Sequence, residues 1–207
     1  MSGSVARLLA PAAGVPWWGR VSSALAPVLL IGGWTLSASR QVGGFDSVRR
    51  TISELAALDA TDRWIMTAGI AGTGLCHLVT AASLRPAASA GRTVLAAGGA
   101  FTVLVAVFPL PAGGGSSQAH SAVALAAFVA LSVWPFASTP RLDEGAVVAW
   151  GLRRPVAISA GLVLVALLVG FGASLSPGTA VGLTERLVAG AQSLWPLAVV
   201  ASVPRRR

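Results

Sequence analysis

The sequence has no lysine, no asparagine and no tyrosine, and only one of its 207 residues is cysteine. Because the three missing residues have AT-rich codons, we attribute their absence to a GC-rich gene and not to selection for arginine chemistry. The single cysteine, Cys76, excludes an intramolecular disulfide. The chain also lacks an HExxH motif, a paired aspartate motif, a Walker loop and a CxxC pair. No sequence motif therefore supports a metalloprotease, a nucleotide-binding P-loop or a dithiol redox site.

Charge is also scarce, because 11% of the residues are charged and five long stretches carry no charge at all. These uncharged stretches are 21–39, 64–84, 93–140, 155–184 and 187–204. A helix needs about 20 apolar residues to cross the ~30 Å core of a bilayer, so each stretch has membrane-spanning length. The 48-residue stretch holds two helices, since the prolines and glycines between 109 and 117 break it.

We therefore predict an all-α fold, a polytopic transmembrane bundle of six helices. The predicted helices cover about 21–39, 64–84, 93–108, 118–138, 155–175 and 184–203. Residues 1–20 are predicted to form a cytoplasmic or interfacial N-terminal tail, residues 21–204 the transmembrane domain, and residues 205–207 a basic cytoplasmic C-terminus. A chain of this length leaves no room for a separate soluble domain.

The arginines predict the orientation in the membrane. The formal net charge of +8 comes from 15 arginines and 7 acidic residues. The arginines lie at helix ends, where they would meet anionic lipid head groups, so nucleic acid is not an expected partner. With six spans, the side that holds both termini carries ten arginines and the other side carries five. The positive-inside rule then predicts a multi-pass protein of the inner (plasma) membrane with both termini in the cytoplasm.

The polar segment between the first two helices contains a capping box. In the pattern Thr51-x-x-Glu54, the threonine accepts a hydrogen bond from the fourth residue's N–H, and the glutamate reaches back to the Thr51 N–H. Ile52 and Leu55 would then lie on the apolar face of a short interfacial helix. The alternative is that Ser53 and Glu54 close the mouth of a cavity between helices.

The predicted topology brings several polar side chains to one membrane face. They are Asp46, Glu54, His120, Glu185 and Arg186. Carboxylates, an imidazole and a guanidinium in one layer could bind a charged head group or perform acid–base chemistry. They could equally be ordinary charges at the rim of the bundle.

His77 differs from these residues because it lies in the middle of the second helix, 13 residues beyond Trp64, which is about 20 Å along a helix. His120 stays near the surface, so the two imidazoles cannot bind one zinc ion, and we predict no metal site and no cofactor. An intramembrane histidine is a functional candidate. A hydrogen bond within the bundle would account for it equally well.

Three sets of residues, in order along the chain, match one known family: residues 51–58 with 63–68, Phe108-Pro109 followed by His120, and residues 182–187. In these stretches the chain resembles the bacterial membrane family called domain of unknown function 998. The stretch 74–79 is similar to an actinobacterial subgroup. The resemblance implies a six-helix integral membrane protein without an established reaction. It also implies that Ser53, Glu54, His120 and Arg186 matter.

We interpret the chain as a non-enzymatic membrane protein that binds a lipid or another small amphipathic ligand at its outer face, either as a transporter-like protein or as an accessory subunit. Two alternatives stay open: an intramembrane hydrolase or transferase that uses Glu54 and His120, and a structural partner of another membrane protein. The expected partners are membrane lipids, with anionic head groups at the cytoplasmic arginines. The candidate polar site comprises Ser53, Glu54, His120 and Arg186, with Asp46, His77 and Glu185 as secondary candidates.

Overall fold

The computed structural model describes residues 14–113, 115, 117–140, 148–176 and 178–205. These residues form six α-helices, and no strand occurs among them. The helices are α1 (Trp17–Ser39), α2 (Trp64–Ser83), α3 (Ser89–Val107), α4 (Gln118–Val133), α5 (Arg154–Ala173) and α6 (Val181–Ser202). Short 3₁₀ turns lie at Ser53–Ala56, Trp134–Ala137 and Trp150–Leu152. Residues 1–13 of the predicted tail and residues 206–207 of the predicted basic end lie outside the described residues.

Five of the six helices are long and apolar enough to cross a membrane, namely α1, α2, α3, α4 with the 3₁₀ turn that follows it, and α5. Helix α6 is not among them, and it carries the charged residues Glu185 and Arg186 and the amide Gln192. The predicted all-helical fold with several span-like helices is thus confirmed. A membrane crossing by α6 stays a prediction.

Helices α1 and α3 begin at Trp17 and Ser89, before the predicted residues 21 and 93, and each contains an arginine that reaches a backbone carbonyl at the bundle's end. Helix α6 also begins earlier than predicted, at Val181. Helix α1 includes Arg20, whose guanidinium donates to the Val203 carbonyl at 2.8 Å. Helix α3 includes Arg92, whose Nε donates to the Ala81 carbonyl at 2.8 Å. A long side chain of this kind keeps its charge at the helix end while its backbone lies inside the helix. A charge in the sequence therefore does not end these helices.

Helix α4 ends earlier than predicted, at Val133, and continues as the 3₁₀ turn Trp134–Ala137. Pro135 has no N–H to donate to the preceding turn, and its ring disfavours a continuous α-helix. The chain continues in 3₁₀ form, and Ser138 donates its N–H to the Pro135 carbonyl at 3.1 Å.

The helices form a ring in chain order, in which each helix packs against the next and α6 packs against α1. Helices α2 and α3 approach closely where Gly74 faces Gly99. A Cβ on Gly74 would lie 2.6 Å from the Gly99 carbonyl oxygen, and a Cβ on Gly99 would lie 2.7 Å from the Gly74 carbonyl oxygen. Small residues allow this contact where lipid supplies no hydrophobic drive for helices to associate.

The two ends of the ring differ in what they carry. One end, which we call the loop face, is formed by the described residues 40–63, 108–113, 115, 117, 174–176 and 178–180. Backbone hydrogen bonds join the segment 40–63 to Leu110 and to α6, through Leu58 N–H to Leu110 (3.1 Å) and Leu183 N–H to Val48 (3.0 Å). The other end, which we call the terminal face, carries the start of α1, the end of α6 and the described residues 84–88, 138–140 and 148–153. All the candidate polar residues except His77 lie at the loop face.

Candidate functional site

The start of α6 holds the first loop in place through backbone carbonyls. Arg186 Nη1 donates to the carbonyls of Ser47, Arg50 and Gly182, each at 2.9 Å. Gly182 lies against the same loop so tightly that a Cβ there would overlap the Arg50 carbonyl oxygen. The guanidinium of Arg186 is therefore used to fasten the loop to α6.

Aromatic rings complete the surroundings of Arg186. Its guanidinium carbon lies 6.0 Å from the ring centre of Trp34 and 5.8 Å from that of Phe45, which is within cation–π range. Arg50 stacks on the same Phe45 ring at 4.5 Å. Asp46 starts the turn beneath, and its carboxylate accepts from the backbone N–H of Val48 at 3.0 Å. The guanidinium of Arg186 and the carboxylate of Asp46 therefore both stabilise the local structure of this loop.

The capping box predicted at Thr51 and Glu54 is confirmed. Thr51 N–H donates to Glu54 Oε1 at 2.9 Å, and Glu54 N–H donates to Thr51 Oγ1 at 3.2 Å. Arg50 Nε donates to Glu54 Oε2 at 2.8 Å. The turn Ser53–Ala56 is a single 3₁₀ turn rather than a longer helix, and Leu55 within it and Ile52 before it are both buried. The Glu54 carboxylate is therefore engaged with its own loop.

The residue that contacts His120 is Ser53, which precedes Glu54 in the chain. Ser53 Oγ lies 3.0 Å from His120 Nε2, and His120 Nδ1 lies 2.7 Å from the carbonyl oxygen of Phe108. A carbonyl oxygen only accepts, so Nδ1 carries a hydrogen. In the neutral ring Nε2 is then the acceptor for the Ser53 hydroxyl. His120 is buried, whereas Ser53 is only partly buried.

Glu185, on α6, binds the backbone next to Ser53. Its carboxylate accepts the backbone N–H of Ile52, the residue that precedes Ser53. The residue is 4% exposed and lies beside Ser53 in the wall of two cavities. Within the described part of the chain, neither of the two ion pairs involves Glu185. Ser53 is thus positioned by α4 through His120 and by α6 through Glu185.

A groove of about 460 Å³ opens from Ser53 along the side of the bundle between α4 and α5. We call it the lateral groove. Its polar end is formed by Ser53, His120, Ser121 and Glu185, and its apolar wall includes Leu125, Phe128, Val169, Phe171, Gly172 and Leu175. Three of the apolar side chains, Leu125, Val169 and Leu175, are at least 60% exposed. The lateral groove is therefore open to the surroundings of the helices.

A second space lies inside the ring of helices, which we call the inner cavity. Its volume is about 70 Å³, well above the roughly 10–15 Å³ that one water needs. Ser53, Ala124, Phe128 and Glu185 line both the inner cavity and the lateral groove. The two spaces are therefore separated by one layer of side chains.

His77 lies in the wall of the inner cavity, on α2. It is 1% exposed, and neither ring nitrogen has a hydrogen-bond partner among the described residues. Gln192 lines the same cavity, and its Nε2 donates to the Phe128 carbonyl at 2.8 Å and to Ser132 Oγ at 2.9 Å. Gln192 is not among the residues predicted from the sequence, although its position as an amide inside a long uncharged stretch was an available signal.

A third space, the outer pocket, holds Glu54. It has a volume of about 440 Å³ and is lined by polar residues that include Gln41, Arg50 and Asp59. Thr51 and Leu110 line both the outer pocket and the lateral groove. The structure thus places Glu54 in one space and His120 in the adjoining one, with Arg186 lining none of these three spaces.

Among the described residues, no group of three His, Cys, Asp or Glu side chains could hold a metal ion. Instead the structure brings together Ser53, His120 and Glu185, and these residues come from the three stretches that carry the family resemblance. A functional role for any of the candidate residues stays a prediction.

The comparisons with known proteins agree with this resemblance. A family model described as "Protein of unknown function (DUF998)" matches residues 24–202. No curated protein and no solved structure matches the chain.

Proposed function

Because this chain belongs to the DUF998 family of membrane proteins, whose function is unknown, we propose a function from its geometry: it binds an amphipathic membrane lipid in the lateral groove. The polar part of the lipid lies near Ser53 and His120, and an acyl chain runs between α4 and α5.

The observation that carries this proposal is the polarity of the lateral groove. Hydroxyl, imidazole and carboxyl groups lie at one end, and aliphatic and aromatic side chains form the rest. Ligand sites in proteins are mostly apolar clefts with a few polar groups that fix orientation. A molecule with one polar end and one long apolar chain matches this distribution.

The position of the lateral groove favours a lipid over a water-soluble ligand. Leu125 on α4 and Val169 on α5 are exposed on the side of span-like helices, where a bilayer would surround them. Toward the loop face, the groove adjoins the outer pocket at Thr51. A head group leaving the groove would enter that polar pocket, which contains Arg50 and Glu54.

The proposal includes a location and an orientation. All six helices cross the cell membrane of a bacterium, the 3₁₀ turn at Ser53–Ala56 lies at the membrane interface, and both termini face the cytoplasm. The lateral groove then opens in the outer leaflet. The excess of arginine at the terminal face supports this orientation under the positive-inside rule.

Two matched glycine variants on α5 test lipid binding. Gly172 lines the lateral groove and Gly170 does not, and a Cβ added at either position would meet nothing within 4 Å. We expect Gly172→Phe to reduce several-fold the amount of lipid that co-purifies in mild detergent, as quantified by mass spectrometry. Gly170→Phe should retain the wild-type amount. Equal lipid in both variants would contradict binding in the groove.

A further inference from the structure

We infer that Ser53 is a nucleophile activated by His120, and that the lipid in the lateral groove is an acyl ester whose acyl group is transferred to Ser53. This inference rests on the proposed lipid binding and adds a reaction to it. The sequence suggested Glu54 and His120 as the pair of a hydrolase or transferase site. In the reaction inferred here, the partner of His120 is the hydroxyl of Ser53 and not the carboxylate of Glu54.

The geometry around His120 is that of an activated hydroxyl. A serine is a weak nucleophile unless a base accepts its proton, and the base must be held in the correct tautomer by a third group. Here Nε2 lies 3.0 Å from Ser53 Oγ. The Phe108 carbonyl oxygen accepts the Nδ1–H, and 2.7 Å separates this oxygen from Nδ1. The third group is thus a backbone carbonyl in place of the carboxylate of a Ser-His-Asp triad.

Ser53 also has the access that a nucleophile needs. It lines both the lateral groove and the inner cavity, and its hydroxyl hydrogen-bonds to His120 Nε2. Glu185 acts as a positioning residue, because its carboxylate fixes the backbone of Ile52 next to Ser53. An ester carbonyl at the boundary between head group and acyl chain would lie at the polar end of the groove.

The start of α4 supplies the positive potential that ester cleavage requires. Helix α4 begins at Gln118, two residues before His120, and Ser117 caps it by accepting the His120 N–H at 3.3 Å. The positive end of the helix dipole therefore lies at the site and favours negative charge on the ester oxygen.

The proposed reaction has two steps. First, Ser53 Oγ bonds to the ester carbonyl carbon as its proton moves to His120 Nε2, and the bond to the lipid alcohol breaks as that alcohol takes the proton from Nε2. An acyl group is then esterified to Ser53. In the second step, water or a second alcohol gives its proton to Nε2 and attacks the acyl carbon. Ser53 recovers the proton, and a fatty acid or a new ester is released.

An alkyl fluorophosphonate tests this inference directly, because a nucleophilic serine displaces fluoride from phosphorus while the base accepts the serine proton. We expect the purified wild-type protein to incorporate one label, and peptide mass spectrometry to locate it on Ser53. Ser53→Ala and His120→Gln should reduce labelling at least tenfold. Ser39→Ala is the matched control, since Ser39 is an exposed serine at the end of α1 that lines none of the three spaces, and it should label as the wild type does.

Two further measurements separate the possible failures. If Ser53→Ala still co-purifies lipid and has the wild-type melting temperature, its loss of labelling is chemical and not a loss of fold. If the wild type retains lipid but takes no label at Ser53, the nucleophile inference is overturned and lipid binding stands. If the wild type retains no lipid and takes no label, both proposals fail. A label on Ser121 in place of Ser53 would also overturn the inference.

Discussion

Ser53 and its two neighbours in the sequence contact three parts of the bundle. Its hydroxyl meets His120 on α4, and the preceding N–H of Ile52 meets Glu185 on α6. The following residue, Glu54, closes the capping box with Thr51. A shift of this turn by one residue would therefore break contacts to two helices at once.

The two polar side chains deep in the inner cavity differ in what they bond. Gln192 makes two hydrogen bonds to α4, through Phe128 and Ser132, and the His77 ring nitrogens make none with the described residues. Gln192→Leu should therefore destabilise the protein by roughly 1–2 kcal/mol, given about 0.6 kcal/mol for an average interhelical hydrogen bond in membranes and at most about 1.7.

His77→Leu is the matched comparison, because it removes a polar side chain from the same cavity without removing a hydrogen bond to the protein. Melting temperatures of both variants in one detergent would test this. A larger loss for His77→Leu than for Gln192→Leu would show that His77 has a bonding role that the described contacts do not contain.

Helix α6 is the element that fixes the first loop. The Glu185 carboxylate accepts a backbone N–H of the loop, and Arg186 donates to two of the loop's carbonyls. Gly182 has no side chain, which leaves space for the loop's backbone. All three residues lie in the first six positions of α6. These contacts therefore hold the first two turns of α6 against the loop.

Gly182→Ala should detach the loop from α6. The added Cβ would overlap the Arg50 carbonyl oxygen, so the loop must move. We expect a lower melting temperature together with reduced fluorophosphonate labelling of Ser53, because the moved loop carries the serine.

Gly190→Ala is the control within the same helix. Its Cβ would lie 3.6 Å from the Trp34 ring, which is an ordinary contact, and alanine is a better helix former than glycine by about 1 kcal/mol. It should keep or raise the melting temperature and keep the labelling. Similar effects of the two variants would contradict the role assigned to Gly182.

At the level of helices, the sequence allowed the number and order of the elements to be predicted because uncharged length and proline–glycine breaks depend on local sequence alone. The starts of α1 and α3 were missed where an interaction with another element intervenes, whereas the early end of α4 follows from the local effect of Pro135. Arg20 and Arg92 lie inside helices because distant carbonyls accept their side chains.

The pairing at the site shows the same limit. The capping box at Thr51 and Glu54 was predictable, since it involves residues three apart. Which of Ser53 and Glu54 faces His120 was not, because it depends on the 3₁₀ turn and on how α4 and α6 pack around it. The use of Glu54 in the capping box left Ser53 as the residue that meets the imidazole.

Across the whole molecule, charge separates the two ends of the bundle. The described residues of the terminal face carry six arginines and no acidic residue, whereas the loop face carries five arginines and five acidic residues. At the loop face, several of these charges neutralise one another, as in the pair of Arg50 with Glu54 at 2.8 Å. The positive-inside rule counts arginines and gives acidic residues little weight, so the ten-to-five distribution of arginines along the sequence predicts that the terminal face meets the cytoplasm.

This orientation can be tested by cysteine labelling in a Cys76→Ser background, which removes the chain's own thiol. Val42 lies in the first loop and is 89% exposed, and Ser89 is exposed at the start of α3 on the terminal face. With the termini in the cytoplasm, a membrane-impermeant maleimide should label Val42→Cys in intact cells and Ser89→Cys only after lysis. The opposite pattern would reverse the orientation. The lateral groove would then open in the inner leaflet, and Ser53 would meet lipids on the cytoplasmic side of the membrane.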